Sequence, residues 1–409
     1  MAHQGLARVG RASVRRSTGP AAALVISLLV VALPARAQSV WEPVVGGGAH
    51  VTNGFADPAN EGATAMAVFN GRLFVAAGGA ATAFEIWSSD DGVAWGVVTG
   101  DGFGDPANQG VAAMAVFDGQ LYAGTANDVT GAEIWRTTNS AGTMWEQVNT
   151  DGFGSADTTT VVALTVFDGV LFAATENQAI GGGIYRSPDG TSWIPTMIGG
   201  FGDAANRAVA SLAGYGARLY AGTFKESTLY NVPGELWWTE DLANWYSAAA
   251  PGFGDPYNVA VASLAAFGGY LFAGTSQPNF LFGNGCEVWR WDGATWIMVN
   301  VPGFGSSYST TALRLAEHGG ELYAGVDHQS SGGAKVFRYL GPMSWLVETD
   351  DGFGDSNNVL IGSLASFNGS LFAGTLNQAE GCEVWRQAGG LLVDGFESGD
   401  TSAWSATVP

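Results

Sequence analysis

The sequence predicts an all-β fold: a seven-bladed β-propeller of four-stranded antiparallel blades, with the ring closed by the N-terminal strand pairing with the last blade. Three observations carry this prediction. A Gly-Phe pair returns seven times, ending at Phe55, Phe103, Phe153, Phe201, Phe253, Phe304 and Phe353, at intervals of 48 to 52 residues. A Leu follows each Phe by 18 residues without exception (Leu73, Leu121, Leu171, Leu219, Leu271, Leu322, Leu371), and an aromatic residue follows each Leu. Trp95, Trp145, Trp193, Trp245, Trp296 and Trp345 each precede the next Phe by 8 residues. A period near 50, repeated seven times, marks a radial array of supersecondary units.

The second repeat shows the unit, whose strands are lettered A to D. Strand A is the apolar run Val111–Phe117, of the kind buried on both faces. Asp118-Gly119 is a hairpin turn leading into strand B, Gln120–Thr125. A loop with Asn127 and Gly131 leads to strand C, Ala132–Arg136, and then to strand D, Met144–Val148. The N-terminal segment Val40-Trp41-Glu42-Pro43-Val44 matches strand D, so it is the tail of a repeat whose head is missing. Repeat 7 runs through Cys382–Arg386 and lacks its own strand D; together the two fragments make one unit.

Composition agrees. The chain has 409 residues, 47% hydrophobic and 13% charged, with 61 Gly to serve many turns. Sixteen basic against 37 acidic residues argue against a nucleic-acid partner. Residues 1–37 read as a signal peptide: Arg8, Arg11, Arg15 and Arg16, then the uncharged run Ala21–Leu33, then Ala35-Arg36-Ala37. That run is short for a membrane span. No Phe-Leu follows Arg15-Arg16, so the general export route is preferred to the twin-arginine one. Cleavage leaves 11 basic against 37 acidic residues, a net charge of −26. The expectation is a secreted or periplasmic monomer with a propeller over 38–390 and a tail over 391–409. The tail segment Asp394–Ser405 resembles a short C-terminal segment of secreted bacterial proteins and is read as an exposed end.

The C–D turns carry a family resemblance. Ser89-Asp90-Asp91-Gly92-Val93-Ala94-Trp95 and Ser187-Pro188-Asp189-Gly190-Thr191-Ser192-Trp193 resemble the Asp-box, or BNR-type, hairpin of sialidase-like propellers. Asp292–Trp296 keeps part of it and Thr239–Trp245 keeps less. The Asp box is a folding element, so the resemblance implies blade architecture. Sialidase activity would further require three clustered arginines and a Tyr-Glu pair. The arginines here fall mostly at repeated strand-C positions (Arg136, Arg186, Arg290, Arg338, Arg386), and no such cluster is visible.

The repeated pairs Asp57/Asn60, Asp105/Asn108, Asp203/Asn206, Asp255/Asn258 and Asp355/Asn358 offer oxygen ligands of the sort calcium takes. No stretch matches a calcium loop, and Asx-turns account for these residues more simply. No cofactor is therefore expected. The strand-C glutamates Glu85, Glu133, Glu235, Glu287 and Glu383 recur in five repeats, which suits architecture rather than chemistry. His50, His318 and His328 sit in no nucleophile-elbow sequence, and two cysteines without close-set partners do not make a zinc site. Cys286 and Cys382 hold the same repeat position two units apart, roughly 20 Å or more, and should not form a disulfide.

Insertions point to a binding face. Leu to the strand-C Glu position spans 12 residues in repeats 1, 2, 3 and 7, but 16 in repeats 4 and 5 and 13 in repeat 6. The longer B–C loops bring Lys225, Glu226 and Tyr230, then Gln277, Phe280 and Phe282, then Asp327 and His328. In repeat proteins such insertions map to one face, often the binding face. Arg314 adds a charge on the innermost strand, where other repeats have Ala or Ser. It is read either as the partner of Glu317 or Asp327, or as an anion contact near the central channel. The resulting expectation is a non-catalytic binding or scaffold module for a glycan or protein ligand. The alternative is a lyase or glycosidase using a cleft on the same face.

Overall fold

The computed structural model describes residues 39–49, 51–79, 82–226, 231–278, 283–329 and 332–388. The regular structure is β-sheet, interrupted by short 3-10 turns at each Gly-Phe pair. In repeat 2 the strands Gly110–Phe117, Gln120–Ala126, Ile134–Thr137 and Trp145–Gln147 pair in sequence, all antiparallel. Asp118 and Gly119 both take positive φ, 47° and 71°, the geometry whose twist matches a tight two-residue hairpin. Among the described residues no helix is long and apolar enough to cross a membrane.

Each strand A carries a β-bulge at one recurring position, seen between Ala63 and Ala65, Val111 and Ala113, and Ala312 and Arg314. A bulge bends the strand and re-aims the side chains beside it. Neighbouring repeats are joined main chain to main chain where strand B runs into the B–C loop. Asn127 N donates to Thr159 O at 2.8 Å, Lys225 N to Val259 O at 2.9 Å, and Asn377 N to Glu61 O at 2.8 Å. The last of these bonds links repeat 7 to repeat 1. In repeat 2 strand B approaches the following repeat so closely that a Cβ on Gly124 would lie 2.5 Å from Val161 Cγ1.

The N-terminal strand Trp41–Val45 pairs antiparallel with Val384–Gln387, with Trp41 opposite Gln387 and Glu42 opposite Arg386. Arg386 and Glu42 form an ion pair, and Ala388 N donates to Val40 O at 2.8 Å. Val44 and Val45 enter a core with Phe55, Val75, Phe372 and Val384. Cys286 and Cys382 are buried free thiols, and burial pushes the Cys382 thiol up to about 12. The segments 1–37 and 391–409, read as signal peptide and tail, lie outside the described residues.

Candidate functional site

The repeated polar residues form a shared scaffold. In five repeats the Asn that follows the Gly-Phe pair donates to the Gly carbonyl and to the strand-C Glu. In repeat 2, Asn108 Nδ2 reaches Gly102 O at 2.9 Å and Glu133 Oε2 at 2.7 Å. The same oxygen accepts Trp135 Nε1 at 2.7 Å. Repeats 1, 4, 5 and 7 repeat this pattern through Asn60, Asn206, Asn258 and Asn358. The neighbouring Asp residues make Asx-turns, as where Asp105 Oδ1 accepts Ala107 N at 2.9 Å. These carboxylates are occupied in holding the repeat together.

Each Phe of the Gly-Phe pair takes positive φ, 52° to 62°. That conformation costs a non-glycine residue about 1–2 kcal/mol, and stacking holds it. The ring lies 3.8–4.9 Å, centroid to centroid, from the strand-C aromatic in all seven repeats. Each of these Phe rings also meets the strand-D Trp. In repeat 7 that Trp is Trp41, set edge-on to Phe353 at 5.3 Å.

The rim residues expected from the long loops are placed as follows. Lys225 is buried; its Nζ donates to Asp203 Oδ2 at 2.9 Å and Glu235 Oε1 at 2.8 Å. Gln277 is buried, with Nε2 on Asp255 Oδ2 and Oε1 accepting Asn284 N and Gly285 N. Both hold the position that Asn127 and Asn377 hold in other repeats, and both perform the same loop-closing task. Glu226 is exposed and paired with Arg207. Asp327 is buried and accepts Thr310 N, Thr310 Oγ1 and Thr311 N; burial raises it to about 6. His328 is buried beside the Tyr308 ring, 5.9 Å between centroids. Tyr230, Phe280 and Phe282 lie outside the described residues. Among the described rim residues, the structure leaves Glu226 as the exposed charged one.

Two repeats lack the scaffold, and in each all three members change together. Repeat 3 has Thr158, Gly183 and Tyr185 in place of Asn, Glu and Trp; repeat 6 has Ser309, Lys335 and Phe337. The sequence carries this signal, since the five Asp/Asn pairs and five glutamates fall in the same repeats. Read as a list of what recurs, it hides the two exceptions.

A groove of about 660 Å³ lies at the boundary of repeats 2 and 3. Its floor holds the half-buried rings of Phe153, Tyr185 and Trp193, and its walls hold Glu146, Gln147, Thr150 and Thr191. Tyr185 stacks on Phe153 at 3.8 Å, over the space a Cβ on residue 183 would reach. In repeats 1, 2, 4, 5 and 7 a Trp turns its N–H inward to a Glu. Here there is no Glu, and the phenol oxygen of Tyr185 has no partner among the described residues. Among the described residues Glu146 is the one carboxylate lining the groove, and it accepts Arg136 Nε at 2.8 Å.

Arg314 lies on strand A of repeat 6, beside a cavity of about 200 Å³ walled by strand-A residues of repeats 1, 2, 3 and 7. Its donors go to main-chain carbonyls, and no carboxylate among the described residues is within ion-pair distance. The pairing with Glu317 or Asp327 is therefore not formed: Asp327 is taken up by Thr310 and Thr311, and Glu317 accepts Gly320 N.

No family model and no curated protein matches the sequence. Solved structures do match. An ancestral GH74 enzyme superposes with a TM-score of 0.53 at 13% identity, covering 80% of this chain, which spans 48% of that enzyme's length. An alpha-L-arabinofuranosidase from Clostridium thermocellum gives 0.38 at 12% identity, over 59% of this chain and 93% of its own. The β-propeller domain of the Trilobed protease from Pyrococcus furiosus gives 0.46 at 9%, over 80% and 96%. At such identities the likeness concerns architecture alone.

Proposed function

We propose that the chain is an exported seven-bladed propeller of the Asp-box type that binds a neutral polysaccharide. The observation that carries the reading is the groove between repeats 2 and 3. It has the size of a ligand site and combines aromatic faces with a few polar groups. Tyr185 supplies a phenol oxygen free of internal bonds, and Gln147 and Thr191 supply further polar groups at the edge. The net charge of −21 disfavours polyanions. The seven-fold count and a closed ring are supported by Trp41, which takes the same place on Phe353 as the other six Trp residues take on theirs. They are further supported by the bond from Asn377 to Glu61. The turns at Asp91, Asp189 and Asp241, each capped by two main-chain N–H groups, support the Asp-box reading. The sequence of residues 1–37 supports export.

A second reading is a polysaccharide-active enzyme, the class that the printed names of two structural neighbours bring to mind. Hydrolysis by general acid and base calls for two facing carboxylates. Among the described residues the groove is lined by Glu146 alone of the carboxylates, and the axial cavity by none.

Affinity electrophoresis in gels containing neutral polysaccharides, run beside an assay for released reducing ends, tests both readings. The wild type should be retarded by at least one polymer without cleaving it. Tyr185→Phe keeps the stack on Phe153 and should weaken binding several-fold, the worth of one hydrogen bond at about 0.5–1.5 kcal/mol. If Tyr230→Ala with Phe280→Ala abolishes retardation while Tyr185→Phe does not, the contact belongs to the loop rim. Release of reducing ends would establish the enzyme instead.

A further inference from the structure

Arg314 carries a half-buried positive charge that no carboxylate of the described residues balances. In repeats 4, 5 and 7 a serine holds its position and bonds to the main chain of the next repeat. Ser211 Oγ reaches Val261 O at 2.8 Å, Ser263 Oγ reaches Ala312 O at 2.6 Å, and Ser363 Oγ reaches Ala63 O at 2.7 Å. The longer arginine reaches further. Its Nε donates to Gly362 O at 2.7 Å, its Nη2 to Thr64 O at 3.3 Å and its Nη1 to Leu313 O at 3.4 Å. All three acceptors are bulged residues of strand A, in repeats 7, 1 and 6.

This set of partners is incomplete in two respects. A guanidinium has five N–H groups; three are met here, two of them by long bonds. Carbonyl oxygens are dipoles and leave the net charge in place, and a charge partly withdrawn from water is costly unless paired. Arg338, which is buried, shows the ordinary solution, with Glu321 at 2.9 Å and Glu348 at 2.5 Å. Arg314 has instead the axial cavity of about 200 Å³, otherwise walled by small and apolar side chains such as Ala113, Met114, Ala163 and Leu164. Burial alone lowers Arg314 to about 10, with no acidic neighbour to offset it.

We propose that the axial cavity is a binding site for a small oxyanion, a monocarboxylate or an inorganic anion of similar size, which completes the bonding of Arg314. A carboxylate or sulfate edge meets the remaining guanidinium N–H groups, and the apolar wall accommodates a short methyl-sized tail. The site stands apart from the groove of repeats 2 and 3 and does not depend on what binds there.

The test is a thermal-shift and calorimetric titration of the whole protein with acetate and, separately, sulfate, at an ionic strength fixed with a bulky sulfonate buffer. The expected result is a saturable rise in Tm with one of them. Saturation by acetate alone identifies a carboxylate site, and saturation by sulfate an inorganic one. Arg314→Ser, the residue found in repeats 4, 5 and 7, should weaken the response at least tenfold. Ala113→Leu keeps the arginine, fills the cavity and should do the same. No saturable response from the wild type to either anion overturns the proposal, as does an undiminished response from Arg314→Ser. Should Arg314→Ser fail to fold, an unchanged response from Ala113→Leu overturns it equally.

Discussion

Asp327 shows how one residue records its surroundings. It is buried among Thr310 and Thr311, and burial outweighs the hydrogen bonds it accepts, so its carboxyl titrates near 6. A carboxyl raised on folding contributes stability that is complete below the unfolded value, near 4, and is lost as pH rises through about 6. Asp327→Asn presents a similar shape without charge. It should therefore raise stability at pH 7.5 by up to about 3 kcal/mol, since each pKa unit is worth about 1.4 kcal/mol. The gain should shrink toward zero at pH 4.5. Urea unfolding at the two pH values measures the difference, and an equal effect at both would contradict the assignment. Lys225 and Gln277 make a related point. Both looked like ligand groups on long loops, yet both replace the loop-closing Asn of other repeats and are bonded to Asp203 and Asp255.

The C–D turn shows the same economy at the level of an element. Asp91, Asp189 and Asp241 each accept two main-chain N–H groups, and those bonds hold the carboxyls below the usual range. Asp292 repeats the arrangement in repeat 5. After Asp91 and Asp189 comes a glycine that faces the neighbouring repeat. A Cβ on Gly92 would lie 2.4 Å from Phe372 Cζ, and one on Gly190 would lie 1.9 Å from the Tyr122 oxygen. The turn thus ties its own hairpin and docks on its neighbour. Depressed carboxyls contribute stability that is present above pH 4 and lost as pH falls below it. The melting temperature should drop between pH 4 and pH 2. Asp189→Asn with Asp241→Asn should lower Tm at pH 7 and flatten that acid limb. An acid limb identical to wild type would show that these turns do not set acid stability.

Across the whole molecule, the N-terminal strand bears on repeats 6 and 7 at once. Trp41 packs on Phe353, Val45 packs with Val384, and Glu348 accepts Ser39 N at 2.8 Å. Deleting residues 39–45 removes these contacts and leaves Val384–Gln387 as an open edge, a template for association. Tm should fall by more than about 10 °C, several kcal/mol for a chain of this size, and the truncated protein should tend to aggregate on size-exclusion chromatography. An unchanged melt would mean that the last repeat is stable without its borrowed strand.

The sequence by itself determined the repeat: four strands, a tight A–B turn, the invariant spacing of Phe to Leu, and the split unit whose strand D is Trp41–Val45. These are local rules, repeated seven times, so each copy corroborates the others. It also assigned the recurring Asp, Asn and Glu to architecture, because a group that appears in five repeats answers to a geometry present in all. What the sequence left open depends on partners far apart in the chain. The groove exists because Tyr185 lies over a glycine next to strand D of the repeat before it. The environment of Arg314 is made by Thr64, 250 positions away, and by Gly362, whose carbonyl accepts its Nε. Spacing along the chain gives the period of side chains, but which face a bulged strand presents, and what meets it there, is settled only when the repeats pack on one another.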